Sequence, residues 1–259
     1  MSLVKENYML ERAALGLLDG CKRVQLYGYL SALSTSERTI WRNATAYVQL
    51  TSAVAFEVIS SSAADTAAGT GARTVDMDLV DGNGVETTVT ATLNGTGAVA
   101  ITGTYVACNA IRVATAGSGG TNAGAIDVRA ASGGAIKNSV NAAFPALGGS
   151  SSFIYTVPAK KKAYLKSLSV GVTGATGDLT LALSLYSSSG LRTIPLGMSK
   201  GIGFTAINDG SIPIDLGSGI VIPENTLIHL GALASTGAGA CSATGELFVF
   251  DGASNILGL

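Results

Sequence analysis

The chain has 259 residues and almost balanced charge, with 16 Lys and Arg against 17 Asp and Glu and a net charge of −1. Only 13% of its residues are charged, whereas 34 are glycine and the mean hydropathy is +0.42. There is no overall positive charge to attract nucleic acid, and no apolar run of about 18 residues to span a membrane as a helix. Because so few charges cannot cover a lone subunit, we expect other copies or a larger partner to cover much of its surface.

Residues 1–45 differ from the rest and are predicted to form an N-terminal arm with a short helix. Apolar side chains recur there at helical spacing, and the pattern stops at Asp19-Gly20. The stripe consists of Met9, Leu10, Ala13, Ala14, Leu17 and Leu18. Such a helix could cap the β domain that follows, or it could dock onto a neighbouring subunit through Met9, Leu10, Leu17 and Leu18.

Residues 46–142 alternate between predicted strands and turns of small residues, which is typical of an antiparallel β-sandwich. The clearest signal is a hairpin, in which strands 73–80 and 85–93 flank the turn Asp81-Gly82-Asn83-Gly84. Four further strands are expected at 47–50, 54–59, 104–114 and 125–130. Residues 60–71 and 117–124 are predicted to be loops.

A Gly/Ser-rich linker, LGGSSS at 147–152, marks the start of a second domain that we assign to residues 143–259. Seven short strands are expected there, at 153–157, 163–173, 179–186, 211–215, 220–222, 226–233 and 244–250. This pattern favours a jelly-roll-like sandwich. The predicted fold class is therefore all-β, with two antiparallel β-sandwich domains after an N-terminal arm.

No motif in the sequence predicts catalysis, so the chain is not expected to be an enzyme. The single histidine, His229, lies among aliphatic residues, and no Ser, Asp or Cys stands at the spacing of a catalytic triad. This pattern is more typical of a structural or interface histidine. The Gly-rich segment 117–124 is followed by neither Lys-Ser nor Lys-Thr, which a phosphate-binding loop would require.

No metal or cofactor is expected either. Asp76, Asp78 and Asp81 lie close in sequence, but they lack the ligand order of a calcium loop. The three cysteines are far apart and form no metal-ligand pair, so they are expected to be free thiols. They are Cys21, Cys108 and Cys241.

One local concentration of positive charge stands out, Lys160-Lys161-Lys162. Its position between two predicted strands favours a solvated turn. The alternative is that the three lysines contact acidic side chains of a neighbouring subunit. Residues 46–142, with seven acidic and four basic residues, could supply such a surface.

Several phrases of the sequence resemble those of virion structural proteins of tailed bacteriophages. Residues 60–96, which contain DTAAGTGAR, and residues 111–124, IRVATAGSGGTNAG, are similar to segments frequent in that group. Residues 153–172, FIYTVPAKKKAYLKSLSVGV, and 222–235, IPENTLIHLGALAS, are similar to β-sandwich proteins of phage heads and tails. In the third phrase, Lys160 stands where the family usually has Gly.

The resemblance implies a capsid cement or decoration protein that bridges and stabilises capsid subunits. Such a protein would be made in the cytoplasm of the bacterial host and would reside in the virion. Its partners would be the major capsid protein and copies of itself, as a homotrimer or dimer, with no direct contact to nucleic acid or membrane. The alternative that the sequence leaves open is a tail, head-fibre or baseplate protein involved in host attachment.

Overall fold

The computed structural model describes residues 20–43, 45–142, 149–174, 179–187, 202–204, 209–214, 216, 219–236 and 239–251. These residues form sixteen β-strands and no helix, which confirms the all-β class. The strands are β1 (Cys21–Leu30), β2 (Arg38–Thr39), β3 (Val54–Ser60), β4 (Ala72–Asp81), β5 (Glu86–Thr92), β6 (Val99–Ala116), β7 (Ile126–Ala130), β8 (Ile136–Val140), β9 (Ile154–Thr156), β10 (Lys161–Thr173), β11 (Leu179–Ser187), β12 (Ile202–Phe204), β13 (Asp209–Ile214), β14 (Ile220–Ile222), β15 (Thr226–Ala234) and β16 (Ala240–Asp251). In the described part of the chain, no helix is long and apolar enough to cross a membrane.

Strands β9 to β16, together with β1 and β2, form two antiparallel sheets that enclose one core. The first sheet has the order β1-β16-β10-β13, with β14 also paired to β10. The second has the order β12-β11-β15-β2, with β9 also paired to β15. Buried side chains from both sheets, such as Leu165 and Leu247 from the first and Ile228 and Leu230 from the second, belong to one apolar cluster. We call this unit the C-terminal sandwich.

The preceding unit is one six-stranded antiparallel sheet rather than the predicted sandwich of two sheets. Its order is β5-β4-β6-β3-β7-β8, and we call it the N-terminal sheet. The long strand β6 pairs with β3 through its first part and with β4 through the rest, with four register irregularities against β4. Such bulges increase the bend and twist of a strand. A single sheet therefore curves over a core that includes Phe56, Met77 and Ile111.

Part of the predicted N-terminal arm lies inside the sandwich. Strand β1 pairs with β16 along its whole length, and β2 pairs with β15. Within β1, Leu26, Gly28 and Leu30 are buried while their neighbours are more exposed, which is the alternation of a strand with one face on a core. The predicted helix and its docking residues Met9, Leu10, Leu17 and Leu18 lie outside the described residues.

The Gly/Ser-rich segment between the two units is packed against the N-terminal sheet. Ser151 and Ser152 are each 2% exposed, so this part of the segment is not a free linker. The Ser151 N–H donates to the carbonyl oxygen of Ser139 at 2.8 Å, and the Ile111 N–H donates to the Ser150 hydroxyl at 2.8 Å. Small polar side chains allow this close approach because they satisfy backbone groups locally.

Candidate functional site

Two of the phrases that resemble phage proteins meet around one buried carboxylate. Asp65 is fully buried, and its Oδ1 accepts hydrogen bonds from the N–H groups of Ala72 at 2.8 Å and Ala123 at 2.7 Å. Its Oδ2 accepts from the Gly124 N–H at 2.9 Å and the Ser60 hydroxyl at 2.5 Å. We call this arrangement the Asp65 clasp. It joins the start of the DTAAGTGAR phrase to the end of the GTNAG phrase.

Glycines in the same loops are required by close backbone contacts. The Gly117 N–H donates to the Gly71 carbonyl oxygen at 2.8 Å. A Cβ atom on Gly71 would lie 2.1 Å from Asp65 Oδ1, and one on Gly117 would lie 2.2 Å from the Gly69 carbonyl oxygen. The Gly-rich segment 117–124 therefore packs against the neighbouring loop, and several of its N–H groups are used within the fold.

A second feature is a polar junction between the two units, built on Asn109 of β6. Asn109 is 4% exposed; its Oδ1 accepts from the Thr156 N–H at 2.7 Å, and its Nδ2 donates to the Thr156 carbonyl oxygen at 2.8 Å. The same amide donates to Glu86 Oε1 at 2.7 Å, and Glu86 Oε2 lies 3.1 Å from Lys22 Nζ. The side chain of Asn109 thus pairs with β9 as a strand residue would, which holds the N-terminal sheet to the sandwich.

Asp78 adds charge to this junction. It is 6% exposed. Its Oδ2 lies 3.4 Å from Lys22 Nζ and 3.2 Å from Arg112 Nη1. Its Oδ1 accepts a hydrogen bond from the Thr88 hydroxyl at 2.7 Å. Burial alone would raise the pKa of Asp78, but the Thr88 hydrogen bond and the Lys22 and Arg112 charges hold this pKa below its ordinary value of 3.8. The carboxylate is therefore ionised at neutral pH and is neutralised within the chain.

Aromatic residues close the junction on another side. Trp41, 1% exposed, packs edge-on against Tyr47 with the ring centroids 5.5 Å apart, and its Nε1 donates to the Thr45 carbonyl oxygen. Lys137 Nζ lies 5.4 Å from the centroid of the Tyr47 ring, and burial lowers the pKa of Lys137. Arg42 forms an ion pair with Asp127. This cluster was not predicted from the sequence, although the single Trp of the chain was a usable signal.

Lys160 and Lys161 line a cavity of about 600 Å³ to which both units contribute. Of the predicted lysine turn, only Lys160 precedes the strand, whereas Lys161 and Lys162 are the first two residues of β10. Lys160 is exposed and has φ 61°, the left-handed conformation that glycine adopts most readily. Its N–H donates to the Glu224 carboxylate, and the Lys161 side chain pairs with Asp251. Lys160 therefore adopts a glycine-type backbone geometry, although a lysine at this position was expected to change the turn. Lys162 is exposed.

His229 and two of the three cysteines are buried, whereas Cys21 is partly buried. His229 is 5% exposed in β15, and burial lowers its pKa to about 4, so it is neutral at pH 7. Burial raises the pKa of Cys108, and raises that of Cys241 to about 12. All three cysteines are free thiols. Among the described residues, no three His, Cys, Asp or Glu side chains are placed to hold a metal ion.

Comparisons with known proteins give only distant structural likenesses. No family model matches the chain, and no curated protein matches it. A structure of the Gx strain of infectious bursal disease virus is 14% identical, with a TM-score of 0.27, over 91% of this chain and 72% of that one. The VP2 subviral particle of the same virus is 13% identical, with a TM-score of 0.24, over 91% and 73% of the two chains. At these TM-scores the likeness carries no argument about fold or function.

Proposed function

We propose that the chain is a structural protein of a tailed-bacteriophage virion, of the capsid cement or decoration type, which bridges and stabilises capsid subunits. The observation that supports this best is the Asp65 clasp. Two of the four phrases that resemble phage virion proteins meet there, where Asp65 accepts hydrogen bonds from Ala123 and Gly124. This supports the proposal because residues of both phrases contribute to the packing of the fold.

The junction between the two units fits the same role. Asn109, the Lys22–Glu86 pair and the Arg42–Asp127 pair connect the N-terminal sheet to the sandwich or to the segment that follows β2. A bridging protein has to transmit force between the subunits that it contacts. A junction that fixes the N-terminal sheet to the sandwich transmits this force directly, because the two units do not first move apart. The abundant Ala, Gly, Ser and Thr side chains lose little rotamer freedom in flat contacts with neighbours.

The exposed lysine turn is the surface through which we propose that the protein contacts acidic side chains of the major capsid protein. Lys161 already has an internal partner in Asp251, so Lys160 and Lys162 carry most of the charge available to a neighbour. Each exposed ion pair contributes less than about 1 kcal/mol. The effect becomes measurable because it is summed over the turn and repeated over many copies on one particle.

Re-addition of purified protein to phage particles that lack it tests both the function and this contact. Wild-type protein is expected to bind and to raise the temperature at which the particles release DNA. A variant with Lys160→Gly, Lys161→Ser and Lys162→Ser keeps the turn geometry and is expected to bind about tenfold or more weakly at low ionic strength, where screening is least. Lys166→Ser, which removes one charge outside the turn, is the control.

The possible failures of this experiment are distinguishable. If wild-type protein neither binds nor stabilises the particles, the cement function is wrong, and recovery of the protein in the tail fraction would favour the host-attachment alternative. If the wild type binds but the triple variant binds equally well at low and high salt, the lysine turn is merely solvated.

A further inference from the structure

Strand β5 is an open edge of the N-terminal sheet. Among the described strands it pairs with β4 alone, in a regular register from Thr74–Thr92 to Val80–Glu86. Within Glu86–Thr92, four of the seven side chains are exposed and none is buried, and the preceding Val85 is 51% exposed. The strand contains no proline, lysine or arginine, which are residues that commonly protect sheet edges from pairing.

Other described sheet edges are protected. At the opposite edge of the same sheet, four of the five residues of β8 are buried, and Val140 forms a bridge with Ser150. In the sandwich, the edge strand β1 carries Lys22 and Arg23, and its Tyr29 N–H donates to the Ser151 carbonyl oxygen. The exposure of β5 therefore distinguishes it from these two edges.

The hydrogen-bond pattern shows which backbone groups of β5 are available. The Asp81 N–H donates to the Val85 carbonyl oxygen, and the Leu93 N–H donates to the Arg73 carbonyl oxygen. Because antiparallel ladders alternate between hydrogen-bonded and non-hydrogen-bonded pairs, the even-numbered residues between these two bonds turn their N–H and C=O groups away from β4. These residues are Glu86, Thr88, Thr90 and Thr92.

The sequence of β5 is compatible with pairing to itself. A two-fold axis at Val89 places the even-numbered residues of one copy opposite even-numbered residues of the other, so all the outward groups find partners. The residue pairs in this register are Glu86–Thr92, Thr87–Ala91, Thr88–Thr90 and Val89–Val89. The single charged residue of the strand, Glu86, faces Thr92 and not its own copy, so no like charges are directly opposed.

We propose that β5 pairs antiparallel with β5 of a second copy of this chain, with the two Val89 residues opposite each other, and joins the two N-terminal sheets into one. The inference rests on the proposed function in one respect, the expectation that copies contact each other. The inference adds that β5 is the surface through which the copies contact each other. The geometry of this β5 pair and the experiment that tests it do not involve the capsid.

Cysteine cross-linking tests the register. In a Cys21→Ser background, Val89→Cys is expected to form a disulfide-linked dimer under mild oxidation, because directly opposite residues of a non-hydrogen-bonded pair lie within disulfide reach. Thr87→Cys, on the same strand, is the matched control. In the proposed register each residue 87 lies opposite residue 91 of the other copy. The two introduced cysteines would therefore be four residues, or about 13 Å, apart along the strands, which is too far for a disulfide.

A second variant keeps the inference testable if Val89→Cys does not fold. Thr90→Pro removes an outward N–H that takes no part in the β4 ladder, and it is expected to weaken dimerisation in sedimentation by about tenfold or more. Thr90→Ala loses the same hydroxyl but keeps the N–H, and is expected to dimerise like the wild type.

Three results would overturn the inference: a monomeric wild type at about 100 μM, where even a weak specific dimer should form; equal cross-linking by Thr87→Cys; or an unchanged dimer with Thr90→Pro. A monomeric protein that still binds and stabilises particles would leave the proposed function intact. A β5 dimer that does not bind particles would contradict only the proposed function.

Discussion

Asp65 shows how one side chain fixes the geometry of two loops. Its carboxylate accepts hydrogen bonds from three backbone N–H groups and one hydroxyl in a fully buried site. Removal of the carboxylate would leave those N–H groups without an acceptor and out of reach of water. Each buried unsatisfied donor costs about 1–3 kcal/mol.

We therefore predict that Asp65→Ala lowers the free energy of unfolding by about 3–5 kcal/mol in chemical denaturation. The matched control is Asp81→Ala in the exposed hairpin turn. Asp81 also accepts two backbone N–H groups, from Asn83 and Val85, but water can replace it there, so a loss of about 1 kcal/mol or less is expected. Equal losses in the two variants would contradict the role of the clasp.

The lysine run could be recognised in the sequence and the clasp could not, for a physical reason. A run of three lysines is a local pattern, although its last two members lie in β10 and not in the predicted turn. The donors to Asp65 lie as far as 58 and 59 residues away, at Ala123 and Gly124. A lone Asp in a loop of small residues gives no sign of such partners before the sheet brings the loops together.

At the scale of elements, apolar alternation and turn residues predicted strands most reliably where a strand packs one face against a core. The predicted hairpin around Asp81–Gly84 is confirmed as β4 and β5. Strand β8 was not predicted, because four of its five residues are buried and its sequence IKNSV shows no alternation. Strand β1 was assigned to the arm because the helical spacing of the preceding apolar residues dominated the interpretation of that segment.

Strand β15 places the single histidine inside the sandwich, and this makes the stability of the protein dependent on pH. The pKa of His229 is about 4 in the folded chain against 6.5 for an ordinary histidine. A lowered pKa means that the unfolded chain takes up a proton more readily than the folded one. The stabilisation is therefore complete above pH 6.5 and is lost as the pH falls toward 4.

We predict that the free energy of unfolding decreases by about 3 kcal/mol between pH 6.5 and 4, with most carboxylates contributing only near the lower limit. Urea denaturation at several pH values measures the slope. His229→Asn is expected to flatten the slope between pH 6.5 and 5, whatever its absolute stability, because the chain has no other histidine. The same slope in both proteins would show that His229 does not titrate in this way.

For the whole molecule, the described residues begin at residue 20, directly before the first strand. Strand β1 starts at Cys21 and pairs with β16 over all ten of its residues. We predict that deletion of residues 1–19 leaves the β-sheet signal of the circular dichroism spectrum and the unfolding midpoint unchanged but weakens attachment to the particle. This effect on attachment follows if Met9, Leu10, Leu17 and Leu18 dock onto a neighbour.

Deletion of residues 1–30 is the comparison for this truncation. It also removes β1, exposes the edge of β16 and is expected to destabilise the sandwich strongly. If the shorter deletion already unfolds the protein, the N-terminal segment caps the fold instead. If it attaches as well as the full chain, the segment has no docking role.

The central claim, that this chain is a cement protein distributed over the capsid, is tested most directly by its copy number in purified virions. Quantitative gel densitometry against the major capsid protein gives this number. A cement protein is expected at a stoichiometry comparable to that of the major capsid protein, on the order of hundreds of copies, because stabilisation comes from many moderate contacts repeated over the shell. A count of a few to some tens of copies would contradict it and would favour a tail or fibre component.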